Sequence, residues 1–281
     1  MYDGTSPSER PGETIPLQRA RGRARIEVWA DGEQTRLSDL YQDGCAKVRL
    51  PRVYDGGGID AVLLNTAGGL TGGDVFETHA RCGTDAVLTL TTQACERVYR
   101  TAGGEAQVVS ELSAGPGAQL HWLPQETILF DGGSLRRSLS VDLEGDATFL
   151  GVEALLLGRL ASGEKLSEGT FRDSWRVHRD GRLIFAYAAK LTGDIEAVLS
   201  GPAVMDGMKA MATVVMAASD TEARLTAARG ILDSCPTAGA SALDGVLVCR
   251  LVAADARELR RYLVPLLSRL ADRDLPRVWH L

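Results

Sequence analysis

The chain has 281 residues, 44% hydrophobic and 24% charged, which suits one large globular domain or two small ones. Thirty-seven acidic against 31 basic side chains leave a formal charge of −6; a nucleic-acid partner, which needs a basic excess, is not expected. No apolar run is long enough for a membrane-spanning helix, and the opening MYDGTSPSERPGETIP has no secretion core, so a soluble, cytoplasmic protein is expected. Cys45, Cys82, Cys95, Cys235 and Cys249 are widely spaced with no CxxC pair, the pattern of isolated reduced thiols and not of a disulfide framework.

Residues 1–20 hold Pro7, Pro11 and Pro16 among polar side chains and read as a flexible N-terminal extension, leaving 21–281 as a single domain. Arg19, Arg21, Arg23 and Arg25 recur with period two, while Ala24, Ile26 and Val28 fill the alternate positions. This predicts a strand with one solvated basic face. Apolar β-prone runs follow at 46–50, 61–64, 86–91, 106–112 and 119–123, then through Leu139, Val141 and Leu143 to 147–152. Most are separated by turn clusters such as 55–58, 103–104, 115–117 and 131–133. Residues 171–177 and 183–187, with Asp180-Gly181 between them, read as a tight hairpin. The expected fold is mostly β, a sandwich or solenoid-like stack of sheets with a small helical part. No sequence repeat of fixed period is visible. Two helices are expected, at about 221–233 and 255–271. The second carries Asp255 and Glu258 at capping-box spacing, an apolar series from Leu259 to Leu270, and Pro265, which should kink it.

The usual signatures of catalysis are missing. GGLTGGD at 68–74 has the glycine spacing of a phosphate loop but places Asp74 where that loop needs lysine, so these glycines read as turn formers. There is no GxGxxG, HExxH or GxSxG. His79, His121, His178 and His280 do not fall at ligand spacing with one another. Cys95 with His121 is a conceivable nucleophile–base pair, and Arg97, Arg136 and Arg159 are natural ion-pair partners for nearby carboxylates. Residue chemistry alone stops at a soluble, mostly β protein.

Six strings carry more information: LNTAGGLTGGD at 64–74, TTQACERVYRT at 91–101, LPQETILFDG at 123–132, LGRLASGE at 157–164, DGVLVCRL at 244–251 and PRVW at 276–279. In this order and spacing the chain, from about Arg23 to Leu281, resembles the urease accessory protein UreD (UreH) family. The resemblance implies a cytoplasmic nickel metallochaperone scaffold without catalysis of its own, required for inserting nickel into apo-urease. It implies as partners UreF, the GTPase UreG and apo-urease, with an internal polar tunnel as the metal's route. No cofactor would be tightly bound, and Ni²⁺ would pass transiently. The family strings suggest a structural role for Gly68, Gly69, Gly72 and Gly73. Asp74, Glu126, Asp131, Glu153 and Glu164, oxygen donors in or beside those strings, are the candidate contacts of a passing cation. The plainer reading of each is an arginine-paired or turn-capping carboxylate. Scarce clustered His and Cys suits a conduit, because imidazole and thiolate groups would hold nickel too tightly. The helices at 221–233 and 255–271 are candidate docking faces if their apolar stripes are exposed. Two other readings remain: a β-scaffold hydrolase using Cys95 or a convergent carboxylate pair, and a metal-independent interaction module.

Overall fold

The computed structural model describes residues 18–53, 57–159 and 163–280. The expected N-terminal extension therefore lies almost wholly outside the described residues, as do parts of the 55–58 turn and of the string at 157–164.

Two sheets face each other. The first has seven strands: β1 (Arg21–Asp31), β2 (Gln34–Gly44), β5 (Val75–Cys82), β8 (Ala106–Ala114), β11 (Ser134–Leu143), β13 (Thr170–Arg179) and β14 (Arg182–Thr192), in the order β14-β13-β11-β8-β5-β1-β2. The second runs β16-β17-β15-β12-β9-β6-β4-β3, with β3 (Ala46–Arg49), β4 (Ile59–Asn65), β6 (Val87–Thr92), β9 (Gln119–Leu123), β12 (Thr148–Leu157), β15 (Ala210–Ala217), β16 (Ala238–Leu243) and β17 (Val246–Ala253). Two short strands, β7 (Glu96–Val98) and β10 (Thr127–Leu129), join it beside β12.

From β4 to β13 the chain passes alternately between the sheets, and successive strands within each sheet are parallel. That is a solenoid-like coil. Antiparallel strands close it at both ends. Its side-chain contacts repeat at a separation of 31 residues. No sequence repeat announces this step, because a parallel ladder needs matching backbones and an apolar inner face, not matching residues.

The expected alternation of β1 holds: Arg21, Arg23 and Arg25 are exposed, whereas Ala24, Ile26 and Val28 are buried. The β13–β14 hairpin turns on Asp180 (φ 51°) and Gly181 (φ 75°), the two left-handed residues a tight hairpin demands. Several strands escape the sequence reading. β2, QTRLSDLYQDG, is an edge strand with no fully buried residue, so it has no apolar period. β15, AMATVVMA, is buried almost throughout and shows no alternation either.

One core cluster between the sheets is built on Ile26, Leu88, Leu120, Phe149 and Trp175, and a smaller one on Leu129, Leu135, Leu155 and Phe171. A third lies between the second sheet and the helices α2 (Thr221–Leu232) and α3 (Ala256–Ala271). A short helix α1 (Ile195–Leu199) was not anticipated. Asp255 caps α3 as expected, its Oδ1 accepting from the Glu258 amide (2.8 Å), while Glu258 Oε2 reaches one residue beyond the cap and accepts from the Ala254 amide (2.8 Å). The apolar stripe of α3, Leu259, Leu263, Leu266, Leu267 and Leu270, is buried against the second sheet, as are Leu225, Ala228 and Leu232 of α2. Core packing therefore consumes the α3 stripe, which drops out as a docking face; on α2 the expected stripe is only partly used, with Leu232 buried, Ala227 and Ile231 half-buried and Ala223 exposed. No helix among the described residues is long and apolar enough to cross a membrane.

Candidate functional site

β12 runs unbroken for ten residues, but its parallel neighbours do not. β9 ends at Leu123 and β10 begins at Thr127; one coil earlier, β6 ends at Thr92 and β7 begins at Glu96. Residues 93–95 and 124–126 thus leave the ladder at the same level, and Pro124 has no amide hydrogen to offer it. One coil earlier again, β4 ends at Asn65 and the glycine-rich turn begins. A cavity of about 250 Å³ occupies these stacked breaks. Its lining runs from the exposed Gly68, Gln93 and Arg97 to the buried Trp122, Arg137 and Glu153.

Polar contacts step through this region one coil at a time. Asn65 Nδ2 donates to Glu96 Oε2 (3.0 Å), Cys95 Sγ to Glu126 Oε2 (3.3 Å), and Trp122 Nε1 to Glu153 Oε1 (3.0 Å). Glu126 is almost completely buried and is held by Arg260 of α3, whose Nη1 lies 2.9 and 3.0 Å from its two oxygens. Arg260 also donates to Gln125 Oε1 (2.9 Å) and the Trp279 carbonyl (2.9 Å), with its guanidinium 5.2 Å from the Trp279 ring centroid.

At the inner end Arg137 lies between two carboxylates. Its Nε and Nη2 grip the Asp173 oxygens at 3.3 and 2.9 Å, and its Nη1 reaches both Glu153 Oε2 and the Thr127 hydroxyl. Burial opposes the Arg137 charge, but Asp173 and Glu153 overcome that and raise its pKa. Burial pushes the Glu153 carboxyl up, against the pull of Arg137. Sequence reading missed Arg137, Asp173 and Arg260. For the first two a signal existed. Arg137 shares the phase of Leu135, Leu139, Val141 and Leu143, and Asp173 that of Phe171, Trp175 and Val177. A charged residue on the inward phase of an apolar strand marks a buried polar site.

Of the five candidate carboxylates, Glu153 lines the cavity and Glu126 lies at its edge through Cys95 and Gln125. The other three line none of it. Asp74 accepts from the Ala20 and Thr71 amides, both at 2.8 Å. Asp131 accepts from Ser167 Oγ (2.9 Å) and the Glu168 amide (3.0 Å) and pairs with Arg100. Glu164 pairs with Arg159 (3.2 Å). Arg159 thus pairs with a candidate carboxylate, and Arg136 pairs with Glu105, a carboxylate outside the candidate set. Among the four glycines, Gly72 has the tightest surroundings. A Cβ there would lie 2.0 Å from Thr101 Oγ1 and 2.4 Å from the Gly103 carbonyl. Gly69 (φ 149°) packs under the Tyr99 ring, and Gly68 (φ 79°) and Gly73 (φ 92°) are left-handed.

Cys95 and His121 do not meet. Burial, reinforced by Glu126, pushes the Cys95 thiol up to about 12, leaving no thiolate nucleophile near neutrality. His121 alternates with Leu120 and Trp122, so it faces the helices, where it hydrogen-bonds Thr89 (3.2 Å). Burial, with Arg273 and Arg224 adding to it, lowers its pKa to about 3. This depressed value contributes stability that is present above the unfolded value of 6.5 and is lost as pH falls. Glu153 has the opposite sign: its contribution is present below 4.5 and is lost as pH rises through the raised folded value. Replacing His121 by glutamine is therefore expected to gain about 2–3 kcal/mol relative to the parent between pH 6.5 and pH 4.5. Urea denaturation at those two pH values checks it; an unchanged difference would mean His121 is protonated in the fold.

Four of the six family-like strings converge here. The strings at 64–74, 91–101 and 123–132 contain the three stacked breaks, and PRVW brings Trp279, whose indole donates to the Leu123 carbonyl (3.2 Å), and Val278, whose carbonyl accepts from Gln125 (3.3 Å). A family model described as UreD urease accessory protein matches residues 20–280. Sequences named urease accessory protein UreD are similar over nearly their whole length. The one from Chelativorans sp. (strain BNC1) is 48% identical over 273 residues, 97% of this chain and 98% of its own. That from Agrobacterium fabrum is 46% identical over 279 residues, 99% and 97% respectively. That from Xanthobacter autotrophicus is 49% identical over 263 residues, 93% and 90%. A match that spans the coil, the stacked breaks and the C-terminal tryptophan that packs on them leaves one conclusion: the chain belongs to the UreD urease accessory protein family.

Proposed function

We propose that this chain guides Ni²⁺ toward the active site of apo-urease, as a cytoplasmic metallochaperone scaffold assembled with UreF and the GTPase UreG. The family is one of urease accessory proteins, so its role is in urease maturation and not in a reaction of its own. The observation that carries the nickel reading is the series of oxygen donors spread along one cavity, from Glu96 and Asn65 at the outer breaks to Glu153 inside. Each is already engaged by a protein group. Among the described residues, no three His, Cys, Asp or Glu side chains converge in a way that could hold a metal. Isolated carboxylate, amide and hydroxyl oxygens bind nickel weakly and release it, as transfer requires.

Deleting the chain from a urease-producing cell is expected to leave the purified urease without nickel; fully metallated, active urease would overturn the proposal. At limiting nickel, Glu153→Gln is expected to slow urease activation severalfold while the accessory complex still assembles. Unchanged activation with intact assembly would remove Glu153 from the path.

A further inference from the structure

The inner end of the cavity holds a cation of its own. Glu153 and Asp173 sit on opposite sides of the Arg137 guanidinium, and all three side chains are buried. Every carboxylate oxygen is occupied: Asp173 Oδ1 and Oδ2 by the Nε and Nη2 edge of Arg137, Glu153 Oε2 by Nη1, and Glu153 Oε1 by the Trp122 indole. The Thr127 hydroxyl completes the ring at 3.1 Å from Nη1, and the Phe171 ring covers the guanidinium, 5.4 Å from its Cζ. A divalent ion replacing the guanidinium would find two carboxylates and a hydroxyl within reach. Hard oxygen donors of that kind, converging in a buried site, would retain it.

We propose that Arg137 is a resident counter-ion that prevents the inner carboxylate pair from trapping divalent cations. Its fixed positive charge lies between Glu153, which lines the cavity, and Asp173, which does not, and offsets both acidic groups. Its Nε–Nη2 fork grips Asp173, and its Nη1 holds Glu153 Oε2 in ion-pair geometry. An ion reaching Glu153 must compete with the guanidinium for a single oxygen, and it leaves when the guanidinium returns. Arginine suits this role because it remains charged in a buried site and binds carboxylates through a rigid fork. Arg137 is thus a specificity residue that sets how long a cation stays. The inference rests on the nickel-passage reading above, and it concerns the affinity of this chain's own interior.

The test is Ni²⁺ alone, added to the full-length chain and followed by equilibrium dialysis. Arg137→Met is expected to retain one Ni²⁺ per chain at least tenfold more tightly than the parent. Arg137→Lys, which keeps the charge, is expected to stay near the parent, and Arg137→Met/Asp173→Asn to lose the gain. If Arg137→Met is unfolded without metal, Ni²⁺ is expected to restore its near-ultraviolet circular dichroism, because a ligand that binds only the folded state stabilises it. The double variant should not be restored. A folded Arg137→Met chain with no gain, a gain equally large in Arg137→Lys or the double variant, or an unfolded chain that nickel does not restore would each overturn the proposal. Failure of the passage reading looks different: urease acquires nickel without this chain, whatever the affinity of the Arg137 variants.

Discussion

Arg260→Met is expected to destabilise the protein by about 3–5 kcal/mol, the cost of stranding a buried carboxylate whose partner has been removed. Glu126 is 1% exposed, and among the described residues its charge is compensated by Arg260 of α3, 134 residues further along the chain. The same guanidinium holds Gln125 and the Trp279 carbonyl, so it ties the helical layer to the break between β9 and β10. Methionine keeps the apolar stem and removes the fork. The double variant Arg260→Met/Glu126→Gln should recover at least about 1–2 kcal/mol, because a neutral amide needs no counter-ion. Arg260→Lys should fall between the two, retaining charge without the planar donors. A double-mutant cycle by urea denaturation measures the coupling. A loss below about 1 kcal/mol for Arg260→Met would mean that water reaches Glu126 and takes over its hydrogen bonds.

The second large effect concerns Asp74. Its two oxygens accept from backbone amides of different segments, Ala20 at the entry to β1 and Thr71 within the glycine-rich turn. The carboxylate is buried, so its loss leaves two amides without partners. At about 1–3 kcal/mol for each of the two stranded amides, Asp74→Ala should cost roughly 2–6 kcal/mol. Asp74→Asn should be nearly as damaging, since the amide keeps one acceptor and turns a donor toward the other N–H. Neither change should alter the nickel dependence of urease activation once protein levels are matched, because Asp74 does not line the cavity. A variant of normal thermal stability that needs more nickel would return Asp74 to the metal's path.

These two residues illustrate two kinds of information. Asp74 acts through segments that its own string brings close: the tight turn around Gly72 and Gly73 is written in GGLTGGD, and the carboxylate closes it. The partner of Glu126 has no such local trace. Nothing in LPQETILFDG points to Arg260, and Arg136, the nearest in sequence of the three candidate arginines, pairs with Glu105 instead. Local chemistry can be read locally; an ion pair across 134 residues exists only once the helices have docked.

The class of fold and much of its punctuation are written in local sequence. The period-two arginines made β1, Asp180-Gly181 made the hairpin, and Asp255 with Glu258 started α3. Each depends on neighbours a few residues apart, where backbone geometry leaves few choices. The ordered strings were enough to indicate the family. The cavity has no such local origin. It forms because three coils interrupt their strands at one level, and the level is set by parallel pairing between segments 31 residues apart. Parallel ladders are indifferent to side-chain identity, so the stacking leaves no repeat to read. The inward phase of Arg137 and Asp173 was legible, and it implied burial. That the two would share one guanidinium fork with Glu153 depended on β11, β12 and β13 meeting in space, which no local pattern encodes.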